Sequence, residues 1–94
     1  MIFEWDENKN EINKKKHGVS FETARLVFED KNMVEILDYF HSTLEEERYY
    51  AIGMVDDVLT VVFTERVGKT RIISARHATK EEEEVYYGNG NIRA

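Results

Sequence analysis

The chain reads as an α+β domain: an antiparallel sheet of about four to five strands packed with three helices, in the order β-α-α-β-β-β-β-α. Three observations carry that reading. Residues 48–76 hold three apolar, β-rich runs parted by short turns at Asp56-Asp57 and Gly68-Lys69, the pattern of consecutive hairpins. Phe21, Ala24, Val27 and Phe28 recur at helical spacing behind Ser20. Start and stop residues for a helix stand at both ends of the chain, Asp6 with Gly18 and Thr79 with Gly88.

Each element has its own justification. Ile2 to Trp5 suits a short strand. Asp6 N-caps a helix over about 7–16 that Gly18 ends in the left-handed region, with Glu7 and Lys14-Lys15-Lys16 matching the helix dipole. That helix is mostly polar, Ile12 being its main apolar residue, so it is expected on the surface. Ser20 opens the second helix, and Met33 to Leu37 is a strand. A polar connection, Phe40 to Glu47, leads to strands at about 48–55, 58–66 and 70–76. Thr79 opens the last helix with Glu82 in the capping-box position. No proline, repeat or linker interrupts the chain, so residues 1–88 are expected to form one domain and 89–94 a flexible tail.

Ninety-four residues bury only about 60–65% of their unfolded surface, and the five Phe, five Tyr and single Trp are available to fill the core. With no cysteine there is no disulfide and no thiolate chemistry. No apolar run approaches the ~18 residues of a membrane span, and the N-terminus lacks a signal-peptide core; a cytoplasmic protein is expected. The net charge of −6 opposes generic nucleic-acid binding. Seven of the nineteen acids, however, lie in Glu45-Glu46-Glu47 and Glu81-Glu82-Glu83-Glu84, read as solvated faces, and without them the balance turns slightly positive.

Two-residue turns in both late hairpins would set Arg48 opposite Glu65, Tyr50 opposite Phe63, and Val61 opposite Arg76. One sheet face would then carry Arg48, Tyr50, Phe63, Glu65, Ser74 and Arg76, and the other Tyr49, Thr64, Arg66 and Arg71. A turn one residue longer would exchange the faces. Arg48 and Glu65 would form a cross-strand ion pair. Arg66 and Arg71, placed opposite one another, would repel unless an anion lay between them.

The phrases Lys16-His17-Gly18-Val19-Ser20-Phe21 and Arg71-Ile72-Ile73-Ser74-Ala75-Arg76, joined by His41-Ser42 and Thr64-Glu65-Arg66, resemble the BrnT family of small toxins. The resemblance runs from Phe3-Glu4-Trp5-Asp6 to Tyr86. It implies a fold similar to RelE-type toxins, a ribonucleolytic activity, and a cognate antitoxin that neutralises the toxin. Such an antitoxin, BrnA-like, commonly carries a DNA-binding module, so that the pair represses its own operon and the toxin meets DNA only through its partner.

RNA cleavage without a metal uses the substrate's own 2′-hydroxyl; the protein must remove that proton, stabilise the crowded phosphate and protonate the leaving oxygen. Arginine suits the phosphate because its fork is planar and always charged. The candidates are Glu65 as base with Arg48 and Arg76 as clamps, His17 and His41 as acid or base with the order left open, and Lys16, Arg66 and Arg71 for flanking phosphates. No cofactor is expected. The histidines lack i, i+4 metal spacing, Asp56-Asp57 sits in a turn, and no glycine-rich phosphate loop is present. The alternative is a catalytically weak family member that serves as binding partner and co-repressor of a DNA-binding antitoxin.

Overall fold

The computed structural model describes residues 1–88. The expected tail, 89–94, lies outside the described residues. The elements follow the expected order: β1 (Ile2–Glu4), α1 (Glu7–His17), α2 (Phe21–Ala24) continued by a 3₁₀ stretch (Arg25–Glu29), β2 (Val34–Asp38), β3 (Arg48–Val55), β4 (Asp57–Arg66), β5 (Lys69–His77) and α3 (Lys80–Gly88). The five strands form one sheet in the order β1-β5-β4-β3-β2. Its late strands are antiparallel, while β1 adds to β5 in parallel, which makes the sheet mixed.

The two faces carry separate cores. Val19, Phe21, Ala24 and Val27 pack on Ala51, Leu59, Val61, Phe63, Ile72 and Ala75 on one face. On the other, Tyr86 of α3 packs with Val34, Ile52 and Val58. Phe63 anchors the first core, with Phe28 edge-on at 5.0 Å and Tyr49 stacked at 5.4 Å. Asp30 ties the layers together. Its carboxylate accepts from the Met54 amide at 2.8 Å and from the Tyr86 hydroxyl at 2.5 Å. Burial and that bond push the Tyr86 phenol up to about 12. Gly53 stands where the 3₁₀ stretch crosses β3: an added Cβ would meet Val27 Cγ1 at 2.8 Å.

α1 is attached in an unexpected way. Ile12 is exposed, while Asn10 and Asn13 are buried. Asn13 donates to the Val19 and Ala75 carbonyls at 2.8 and 2.7 Å and accepts from the Ala75 amide at 3.2 Å. Asn10 donates to Glu7 and Glu22 and accepts from the Phe21 amide. The helix docks by completing backbone bonds, a signal that apolar periodicity does not contain.

The register differs from the expected one by one position, and the turns explain it. The first hairpin pivots on the single residue Asp56, in the left-handed region at φ 62°, so that Val55 pairs with Asp57 and Arg48 with Thr64. The second turns on Val67-Gly68, with φ of 49° and 78°, and pairs Arg66 with Lys69. A bulge then falls between Val62 and Phe63, after which Val62 meets Ser74 and Thr60 meets Arg76. Because side chains alternate, Arg48, Tyr50, Thr60, Val62, Ser74 and Arg76 share the α3 face, whereas Phe63 and Glu65 lie on the α1 face. The bulge also brings Arg71 to the α3 face, although it stands five positions from Arg76 and simple alternation would put the two on opposite faces.

Two outcomes follow. Asn13→Ala strands buried backbone groups at Val19 and Ala75 and lowers unfolding free energy by about 2–3 kcal/mol, read from urea titration. Val67→Asn places a residue tolerant of the left-handed region at the fully exposed turn and raises stability by about 1 kcal/mol in the same measurement.

Candidate active site

Asp38 ends β2, Arg48 begins β3, and the two are register partners, so the chain between them must return to its starting point. Asp38 organises that return. One carboxylate oxygen accepts from the His41 amide at 3.3 Å and caps a 3₁₀ turn over Tyr39–His41; the other lies 2.8 Å from His41 Nδ1. The Ser42 hydroxyl closes the loop, donating to the Asp38 carbonyl at 2.6 Å and accepting from the Arg48 amide at 2.9 Å. An ionised carboxylate only accepts, so Nδ1 carries the hydrogen and Nε2 is the basic nitrogen. Asp38 is buried, while the imidazole is 66% exposed. The site is therefore a solvent-facing base on a buried anchor. Tyr50, in β3, lines the same pocket as Asp38; burial first, then the Asp38 charge, raises its phenol above the usual range.

Arg76 projects from β5 and is gripped by Glu82 of α3 through two parallel bonds of 2.6 and 2.9 Å. Glu82 also accepts from the Thr60 hydroxyl at 3.0 Å and from the Thr79 amide at 2.8 Å, while the Thr79 hydroxyl accepts from the Glu82 amide. The last pair is the expected capping box, here shared with the sheet. Burial alone would raise the Glu82 carboxyl, but the bonds from Arg76, Thr79 and Thr60 outweigh it and hold the group at about 2. Arg48 donates through Nε to Glu46 at 3.1 Å, and Arg66 reaches the other oxygen of Glu46 at 2.9 Å. The Arg66 and Arg48 bonds hold the Glu46 carboxyl below its ordinary range. Asp38, His41, Arg48, Tyr50, Ser74 and Arg76 enclose a pocket of about 230 Å³. Two guanidiniums, a directed imidazole and a half-buried phenol thus line one pocket.

The sequence model described as ribonuclease toxin, BrnT, of type II toxin-antitoxin system matches residues 5–82. The chain belongs to the BrnT family. A similar solved structure is the crystal structure of the Brucella abortus ribonuclease toxin BrnT, which matches at 23% identity and a TM-score of 0.63 over 85% of this chain and 100% of that one. No curated protein matches the chain.

Against this BrnT fold the candidate residues divide. His41, Arg48 and Arg76 meet in the pocket. Glu65 does not: it projects from the opposite face, beside Tyr49 and Glu47, and accepts from the Thr70 hydroxyl at 3.2 Å. The expected Arg48–Glu65 pair is replaced by Arg48–Glu46, because Thr64 occupies the position opposite Arg48. His17 and Lys16 end α1, which packs against the other face of the sheet. Arg66 and Arg71 are not opposed, since Arg66 faces Lys69 and Arg71 faces Thr64. Each has its own carboxylate, Glu46 at 2.9 Å from Arg66 and Glu4 at 3.5 Å from Arg71. Asp38 escaped the sequence reading. Its signal was local: an aspartate three residues before a histidine at a strand end, the spacing of a capped turn. In sequence Glu82 reads as a helix cap within a solvated acidic run; its hold on Arg76 comes from the fold.

Glu82 also sets a pH dependence. Its folded value of about 2 lies below the ordinary 4.5. The stabilisation it confers is complete above pH 4.5 and vanishes as pH falls through about 2. Denaturant titrations across that window should show falling stability in the native chain. In Glu82→Gln, which keeps the cap but not the charge, the acid limb should be flatter.

Proposed function

We propose that the chain is an endoribonuclease that cleaves RNA without a metal and is neutralised by a cognate antitoxin. The convergence of Arg48, Arg76, Tyr50 and the Asp38-held His41 on one pocket carries this reading. His41 Nε2 takes the proton of the ribose 2′-hydroxyl, and Asp38 stabilises the imidazolium that forms. The 2′-oxygen attacks the phosphorus, and the charge that builds on the equatorial oxygens is met by Arg76 and Arg48. The bond to the 5′-oxygen breaks, leaving a 2′,3′-cyclic phosphate. Tyr50 protonates the departing oxygen, which is far more basic than a phenol. The pocket presents the guanidiniums of Arg48 and Arg76 to the phosphate, and the one carboxylate that lines it, Asp38, is taken up by His41. That donor set suits cleavage without a metal.

In the cell this activity would arrest growth in the cytoplasm until a BrnA-like, DNA-binding antitoxin sequesters the toxin. No helix among the described residues is long and apolar enough to cross a membrane. The second reading, a weakly catalytic binding partner, is favoured by one observation: both site arginines already hold carboxylates.

A gel of RNA incubated with the purified protein in EDTA separates the readings. Cleavage should persist in EDTA. It should fall about 10²–10⁴-fold in His41→Ala and about 10²–10³-fold in Arg76→Ala, and survive in Glu65→Ala. Activity that EDTA abolishes and a divalent ion restores refutes the metal-free mechanism. A folded protein that cleaves nothing favours the binding partner.

A further inference from the structure

The edge of the sheet beside the pocket keeps large apolar groups in water. Leu37 is 45% exposed, Tyr39 78% and Leu44 103%. These three line one groove of about 510 Å³ with Ser42, Thr43 and Glu47. Past Leu44 a second hollow opens between Glu45, Glu47, Tyr49 and Glu65. Glu45, Glu47 and Glu65 surround Tyr49 there, and burial and the charges of Glu47, Glu35 and Glu65 raise its phenol. Glu35, Glu45, Glu47 and Glu65 have no lysine or arginine within ion-pairing distance among the described residues. Glu46, in the same loop, holds two arginines. Glu46 and Glu82, which hold the site arginines, are thus neutralised, whereas Glu35, Glu45, Glu47 and Glu65 have no cationic partner among the described residues. β2, the strand along this groove, is an edge of the sheet and contains neither lysine nor proline to block pairing.

We infer that this edge is where the antitoxin docks, through an extended basic segment that adds a strand to β2. Its apolar side chains sit against Leu37, Tyr39 and Leu44, and its cations face Glu35, Glu45, Glu47 and Glu65. The inference rests on the toxin–antitoxin reading. Charge selects the occupant: an RNA phosphate would meet four uncompensated carboxylates, whereas a cationic strand completes them. Ser42, which lines the groove, is the chain neighbour of His41, so an occupant lies beside the proposed base.

The test uses the double variant Leu44→Lys with Glu45→Lys, whose exposed side chains lie outside the pocket, and the antitoxin co-expressed with the chain. Binding should weaken about tenfold or more, RNA cleavage should be unchanged, and in the native complex hydrogen exchange should slow at the amides of 34–38. Antitoxin binding equal to that of the native chain, or unaltered exchange in β2, overturns the inference. So does a variant that binds the antitoxin normally but loses cleavage, because the groove would then be an RNA platform. A native chain that cleaves no RNA, yet shows β2 protection and the charge-reversal loss, leaves the docking edge standing and removes only the activity.

Discussion

The pocket depends on the register of two hairpins. A strand has only two faces, and a shift of one residue sends every side chain to the other. Asp56 fixes the β3–β4 pairing by turning the chain on a single left-handed residue. The bulge beside Val62 and Phe63 then corrects the phase of β5. Together they align Arg48 and Tyr50 with Ser74 and Arg76 while sending Phe63 into the opposite core. The turn contributes no pocket side chain and the bulge only the apolar Val62 and Ile73, yet both determine which polar side chains can meet there.

Charge is managed by the same layout. The chain is strongly acidic, but its acids do different work on different faces. Glu82 and Glu46 orient guanidiniums and keep them from repelling one another across the pocket. In the proposed activity a phosphate entering between them would meet arginines that are already positioned, at the cost of sharing donors with carboxylates. Net charge is a poor guide to such a site, because the field a ligand meets is set within a few ångströms by which residues face it.

Much of the fold could be read along the chain, because its boundaries are local chemistry. Asp6, Gly18, Ser20, Thr79 and Gly88 mark helix ends where they were expected. The candidate site was only half legible. Arg48, Arg76 and His41 stand out as residue types suited to phosphate and proton chemistry, but Glu65 could not be separated from them without the register. That register turns on whether the first hairpin pivots on Asp56 alone or on Asp56-Asp57, a difference composition does not encode. Asp38 was hidden for another reason: its role is to hold a neighbour, and an aspartate at a strand end looks like ordinary turn chemistry. The parallel addition of β1 to β5 is a long-range pairing with no local signature.

The two buried asparagines of α1 have a thermal consequence. Most of the core is joined by apolar contact, whose exposure to water raises heat capacity and whose strength fades on cooling. The seam between α1 and the sheet is made largely of amide bonds, and exposing polar groups changes heat capacity in the opposite direction. The two parts of this small molecule therefore follow different temperature curves. Cooling weakens the apolar layers more than it weakens the amide seam that holds α1 to the sheet.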